Sequence, residues 1–199
     1  MRSGNPLRLP AAVAIASSLI LAVALLMNMV DYAAGVHFDL SAVGRMMRLI
    51  TPYLYTAALV LLPVAMFMLQ RTMGAPGAFK YAAAALAAFI VLGYVLYVLF
   101  VAAIYVITPR YGMTPSEYFI FMILPSYLTD IVTSYLVRRS LYGVAVASPP
   151  PASKRLRWAG TLYLIGAFLT VAVVGFAIAI AGAAYAVAAF SSLASGRRE

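Results

Sequence analysis

One acidic residue, Asp130, falls inside a long apolar stretch of this sequence, and Ser126, Thr133 and Ser134 stand around it at separations of three and four. Those separations put the four side chains on one helical face. A charge at the centre of a bilayer costs about 2.5 to 3.5 kcal/mol even on the lenient insertion scale, so a carboxylate placed there is a candidate proton or cation relay. The same stretch holds Pro125, Tyr127 and Thr129. A proline removes one backbone hydrogen bond, which predicts a local kink with exposed polar backbone beside the acid. A structural role is open as well: Asp130 bonds a serine, a threonine or a tyrosine, or lies near the interface and pairs with Arg138. Tyr94 and Tyr97 are the tyrosines in question, three apart in the middle of another apolar stretch, where their hydroxyls need partners inside the protein.

Other chemistry has little to stand on. The chain has no cysteine, which excludes disulfide frameworks, thiolate zinc sites, iron–sulfur clusters and cysteine nucleophiles together. His37 is the only histidine, so one copy cannot build a bis-imidazole haem or a multi-histidine zinc centre. The acids are Asp31, Asp39, Glu117, Asp130 and Glu199, and no two lie near each other within an apolar stretch to act as a catalytic pair. Neither a phosphate-cradling glycine loop nor a nucleophile elbow occurs. Asp31, His37 and Asp39 form a loose cluster outside the first stretch that could bind a metal weakly but reads as ordinary solvated loop residues. The expectation is a protein that is not an enzyme and holds no metal and no cofactor.

The elements that must position Asp130 follow from composition. Of 199 residues, 65% are hydrophobic and only 10% charged, too apolar a balance for a small water-soluble core. A bilayer crossed by helices of roughly 20 residues accommodates it. Uncharged apolar stretches run over 10–30, 49–69, 81–107, 119–137 and 159–190, which predicts an all-α polytopic bundle of about five spans in a single domain covering 1–199. The first stretch follows Arg2 and Arg8 as a signal peptide would, but it exceeds the usual apolar core of about 7 to 15 residues and reads as a retained span. The net charge of +9 sits between the stretches rather than on a polar face, so the cations are topology determinants and no nucleic-acid partner is expected.

With five spans and the N-terminus inside, the inner segments carry Arg2, Arg8, Arg71, Lys80, Arg138, Arg139, Lys154, Arg155 and Arg157, and the outer ones Arg45, Arg48, Arg110, Arg197 and Arg198. Positive charge favours the cytoplasmic side, which predicts a cell-membrane protein with its N-terminus cytoplasmic and its C-terminus outside. Between the first two spans, 38–48 alternates apolar and polar residues at roughly helical spacing. It is either an interfacial helix broken from the second span at Thr51-Pro52, or the start of one kinked helix from about 40 to 69. Met73-Gly-Ala-Pro-Gly-Ala78 reads as a tight turn between antiparallel helices, and Ser148-Pro-Pro-Pro-Ala-Ser153 as a proline-stiffened linker. Tyr32, Tyr53, Tyr55, Tyr81, Tyr105, Tyr111, Tyr118 and Tyr163 lie near span ends and fit an interfacial aromatic belt.

The last stretch contains small residues four apart: Gly175, Ala179 and Ala183, with Gly182 and Ala186. Such a ridge lets helices approach closely, within the chain or between copies. The segments Tyr135-Leu-Val-Arg-Arg-Ser-Leu-Tyr142, Lys154-Arg-Leu-Arg-Trp-Ala-Gly-Thr-Leu-Tyr-Leu-Ile-Gly-Ala-Phe-Leu-Thr170 and Ala186-Val-Ala-Ala-Phe-Ser-Ser-Leu193 resemble the C-terminal part of an archaeal and bacterial membrane-protein family, domain of unknown function number 996. The resemblance covers about 135–193; it implies a polytopic membrane protein and supplies neither activity nor site residues. Two functions remain in view. The first is a non-catalytic structural or accessory subunit, partnered by the lipid bilayer and by further copies or other membrane subunits. The second is a transporter or channel component that uses Asp130 in a polar path.

Overall fold

The structure is a computed structural model and describes residues 5–37, 41–96, 98–99, 101–102, 106, 115–170 and 172–196. Every element in it is a helix, as the long uncharged apolar stretches predict. They are α1 (Arg8–His37), α2 (Ser41–Met73), α3 (Ala78–Ala88) continuing into a π-helical segment (Phe89–Leu96), α4 (Pro115–Ala147), α5 (Pro150–Phe168) and α6 (Val173–Ser195). By length and composition, four segments among the described residues can cross a membrane: Arg8–Tyr32, Leu49–Met73, Ala78–Val95 and Val173–Ser195.

The proposed break at Thr51-Pro52 does not occur. α2 runs unbroken through Pro52 and Pro63, so a separate interfacial helix over 38–48 is corrected to the start of one long helix, with residues 38–40 outside the described set. Where water is absent, each broken backbone bond stays unpaid, and losing the single bond that proline removes costs less than ending the helix. The Thr56 hydroxyl donates to the Pro52 carbonyl at 2.8 Å and adds a local tie there. The turn after α2 is as tight as its glycines suggest. Gly74 and Gly77 take φ of 67° and 69°, and the Gln70 side chain accepts the Phe79 N–H at 3.2 Å.

The stretch 159–190 is not one span but two helices, the first ending at Phe168 and the second beginning at Val173, folded back as an α5–α6 hairpin. Three features favour the break. Thr170, Val171, Val173 and Val174 are β-branched, 32 residues exceed what a bilayer needs, and Gly175 sits where a side chain would collide with the Leu169 carbonyl. The small-residue ridge closes this hairpin. A Cβ on Gly166 would come within 2.8 Å of the Ala179 Cβ, one on Gly182 would come within 3.1 Å of the Ala159 carbonyl oxygen, and Ala183 and Ala186 are buried. Gly175, Ala179, Gly182, Ala183 and Ala186 thus pack inside the chain. The proline run of 148–153 is likewise helix rather than linker, because Pro150 and Pro151 occupy the first turn of α5, where no backbone donor is missed.

Splitting the last stretch changes the topology. The Asn5 side-chain amide donates to the carbonyls of Leu193 and Ala194, at 3.0 Å each, so the start of α1 and the end of α6 lie at the same end of the bundle. The predicted placement of the C-terminus opposite the N-terminus is therefore corrected. The same end contains the 74–77 turn, tied by the Ser140 hydroxyl to the Ala78 carbonyl at 2.8 Å, and the α4–α5 corner. Arg8, Arg71, Lys80, Arg138, Arg139, Lys154, Arg155 and Arg157 belong to helix segments toward this end, whereas Arg45 and Arg48 belong to the first turns of α2, at the other. Its core is dense, with Met66, Leu69, Leu141, Val144, Leu156 and Phe190 fully buried. Asp130 lies away from this end, midway along α4.

Candidate functional site

Asp130 projects from the middle of α4 into a cavity of about 60 Å³ at the centre of the bundle. Five of the six helices and the π-helical segment contribute to its wall. Leu25 comes from α1, Tyr55 from α2, Phe89 from the π-helical segment, Thr133 and Ser134 from α4, Tyr163 from α5 and Ala179 from α6. Thr170, in the turn between α5 and α6, completes it. That volume has room for a small cation or a few water molecules.

The backbone is irregular around this point. The π-helical segment Phe89–Leu96 faces α4, and a Cβ on its Gly93 would meet the Thr129 methyl at 3.5 Å. Pro125 interrupts the α4 bonding pattern one turn before Asp130, and its carbonyl accepts from the Thr129 hydroxyl at 2.7 Å. The α5–α6 break puts Thr170 on the cavity wall, with its hydroxyl on the Ala167 carbonyl at 2.8 Å. Tyr127 secures the same break by donating to the Phe168 carbonyl at 3.0 Å. Non-helical backbone at membrane depth is tolerated where it is enclosed by protein or lines a polar cavity, and π-bulges recur at functional sites.

The polar inventory is all oxygen, apart from one amide behind it. The Asn28 amide donates to the Tyr55 hydroxyl at 3.2 Å, which leaves the phenol's own proton free to donate elsewhere. Thr133 Oγ1 is buried and makes no hydrogen bond, and it is the one buried side-chain polar atom among the described residues in that condition. An orphaned hydroxyl costs about 1 to 3 kcal/mol, and Thr133 carries that cost in the wall of the cavity that Asp130 lines. A second, smaller cavity of about 20 Å³ lies next to the first toward the basic end and contains Ser17 and Ser18. The two share Leu21, Leu59, Val137 and Tyr163 as a common wall.

The residues singled out by sequence separate into two groups. Asp130, Thr133 and Ser134 meet at the cavity, as one helical face requires. Ser126 is exposed on the outside of α4, a full turn away. Tyr94 is also largely exposed, and its hydroxyl bonds Thr56 at 3.2 Å rather than Asp130. Tyr97, Asp39, Tyr105 and Tyr111 lie outside the described residues, as do the side chains of His37 and Tyr118. Tyr55 and Tyr163, assigned to the belt on position alone, turn inward to the cavity instead. Asn28 was the available clue, being the only amide in the first apolar stretch. No group of three or more His, Asp or Glu side chains comes together among the described residues.

Comparison with protein-family models, with characterised proteins and with solved structures finds nothing that matches this chain. The functional reading therefore rests on the geometry of the cavity.

Proposed function

We propose that this protein is a multi-pass membrane protein that passes a proton or a small monovalent cation through its bundle at Asp130, as a transporter or channel component rather than an enzyme. One observation carries the reading: the only acid described between the two ends of the bundle lines a cavity whose wall also includes Thr133, the residue whose buried hydroxyl has no partner. A carboxylate with hydroxyl oxygens is a hard donor set, suited to a proton, water or an alkali cation and unsuited to soft metals. One carboxylate balances one positive charge, which favours a monovalent species over a divalent one. Irregular helices around a mid-bundle polar site are what transport proteins use to offer backbone and side-chain oxygens to an ion.

On this reading α4 and α5 also cross the membrane, giving six crossings. The eight basic residues near the end shared by Asn5 and Ser195 outnumber Arg45 and Arg48 at the start of α2, and that excess favours the cytoplasmic side for the shared end. The direct test is purification and reconstitution of the full chain into vesicles, followed by uptake of protons, sodium and potassium under an imposed gradient. Uptake of at least one above empty vesicles supports the reading, and uptake of none overturns it.

The accessory-subunit reading keeps one observation of its own. The α3 region buries 17% of its apolar window, whereas the other three candidate crossings bury 39 to 44%. A neighbouring subunit is one cover for that face. Co-purification of a stoichiometric membrane partner in mild detergent supports it, and recovery of the chain alone counts against it.

A further inference from the structure

Where α4 turns into α5, at the basic end, the surface is concave over about 420 Å³. Its apolar wall is Ala145 and Val146, and its polar rim is Ser148, Ser153, Lys154 and Arg157. Lys154 and Arg157 are three apart on α5, so they share a face, and both are exposed. The Arg157 guanidinium lies 5.2 Å from the Tyr142 ring centroid, a contact that orients the cation without neutralising it. No acidic side chain is described at this end of the bundle. Two cations thus line one groove, and no acidic side chain among the described residues pairs with either.

The level of the groove says what surrounds it. Tyr142 and Trp158 are each about half exposed beside it, and exposed aromatic side chains next to basic ones mark the headgroup layer of a bilayer. A phosphate at that level meets Lys154 and Arg157 from α5 and the hydroxyl of Ser153, while the carbon chain attached to it runs over Ala145 and Val146. The pairing of a cationic rim with an apolar wall distinguishes a lipid phosphate from a free anion, which has no use for the wall. We infer that the groove between Lys154 and Arg157 at the α4–α5 corner is a binding site for the headgroup of an anionic phospholipid. It does not depend on what happens at Asp130.

The test uses the purified full chain in neutral detergent and follows its thermal unfolding as phosphatidylglycerol, phosphatidylcholine or inorganic phosphate is added. Phosphatidylglycerol raises the melting temperature of the wild type, with an apparent affinity that falls about fivefold per cation removed in Lys154→Gln/Arg157→Gln. Arg71→Gln/Lys80→Gln removes the same charge elsewhere at this end and retains the response, and Arg157→Lys retains most of it. An equal loss in both double variants overturns the inference, because it means general surface charge. Full reproduction of the effect by inorganic phosphate also overturns it, because the site is then one for a free anion. Should the first double variant fail to fold, Lys154→Gln alone against Lys80→Gln alone makes the same comparison.

Discussion

Asn28 on α1 donates to the hydroxyl of Tyr55 on α2 at 3.2 Å, directly behind the wall of the cavity that Asp130 lines. The bond joins two helices and leaves the phenolic proton of a cavity-lining residue free to donate elsewhere, so these two residues position a donor rather than merely pack. Tyr55→Phe removes that donor and keeps the ring. It should lower ion uptake by reconstituted protein several-fold while costing only about 0.5 to 1.5 kcal/mol of stability, the usual net worth of one hydrogen bond. A variant that takes up ions like the wild type would remove Tyr55 from the path.

Thr133→Val separates function from stability in the opposite sense. The threonine hydroxyl is buried and unpartnered, so replacing it with a methyl group of similar size should leave the melting temperature unchanged or raise it. Uptake should fall, because the cavity loses an oxygen. Loss of stability with uptake preserved would mean that the hydroxyl serves the fold, through a bound water.

The hairpin of α5 and α6 predicts a contrast between glycines. Gly175→Ala forces a methyl group onto the Leu169 carbonyl and the Thr170 N–H and should destabilise the protein by about 1 to 3 kcal/mol. Gly74→Ala meets nothing within 4 Å and pays only for its φ of +67°, about 1 to 2 kcal/mol. Thermal unfolding in detergent ranks the two. The difference should widen for Gly175→Val, whose larger side chain cannot be accommodated at all.

Topology is testable without background, because the chain has no cysteine of its own. Single cysteines at Asn5, Ser148 and Ser195 should react with a membrane-impermeant maleimide from one side of sealed vesicles. A cysteine at Ala172, in the exposed turn between α5 and α6, should react only from the other. Labelling of Asn5→Cys and Ser195→Cys from opposite faces would contradict the even number of crossings.

The outline of this fold is legible in the sequence because hydrocarbon allows few alternatives, and long uncharged stretches separated by arginine and glycine mark helices with little ambiguity. Residues 159–190 show where that logic stops. Hydropathy is blind to a hairpin whose turn is itself apolar, and here the break depends on β-branched residues and on the space around Gly175. That miss carried the C-terminus to the wrong end. At the site, Asp130, Thr133 and Ser134 are readable because they share a helix, and spacing alone aligns them. Tyr55, Tyr163 and Thr170 come from three other parts of the chain, and only packing reveals that they face the same acid. Tyr94 shows the converse, since a mid-span hydroxyl met its need with Thr56 on the neighbouring helix.

The central claim concerns Asp130, and the measurement that reaches it most directly is ion uptake into vesicles containing wild-type protein or Asp130→Asn, reconstituted at equal density and shown to melt alike. The account predicts that the amide, which cannot carry or balance a charge, abolishes uptake of the proton or cation that the wild type moves. Equal rates in the two preparations would contradict it and leave the carboxyl group a structural element of the bundle.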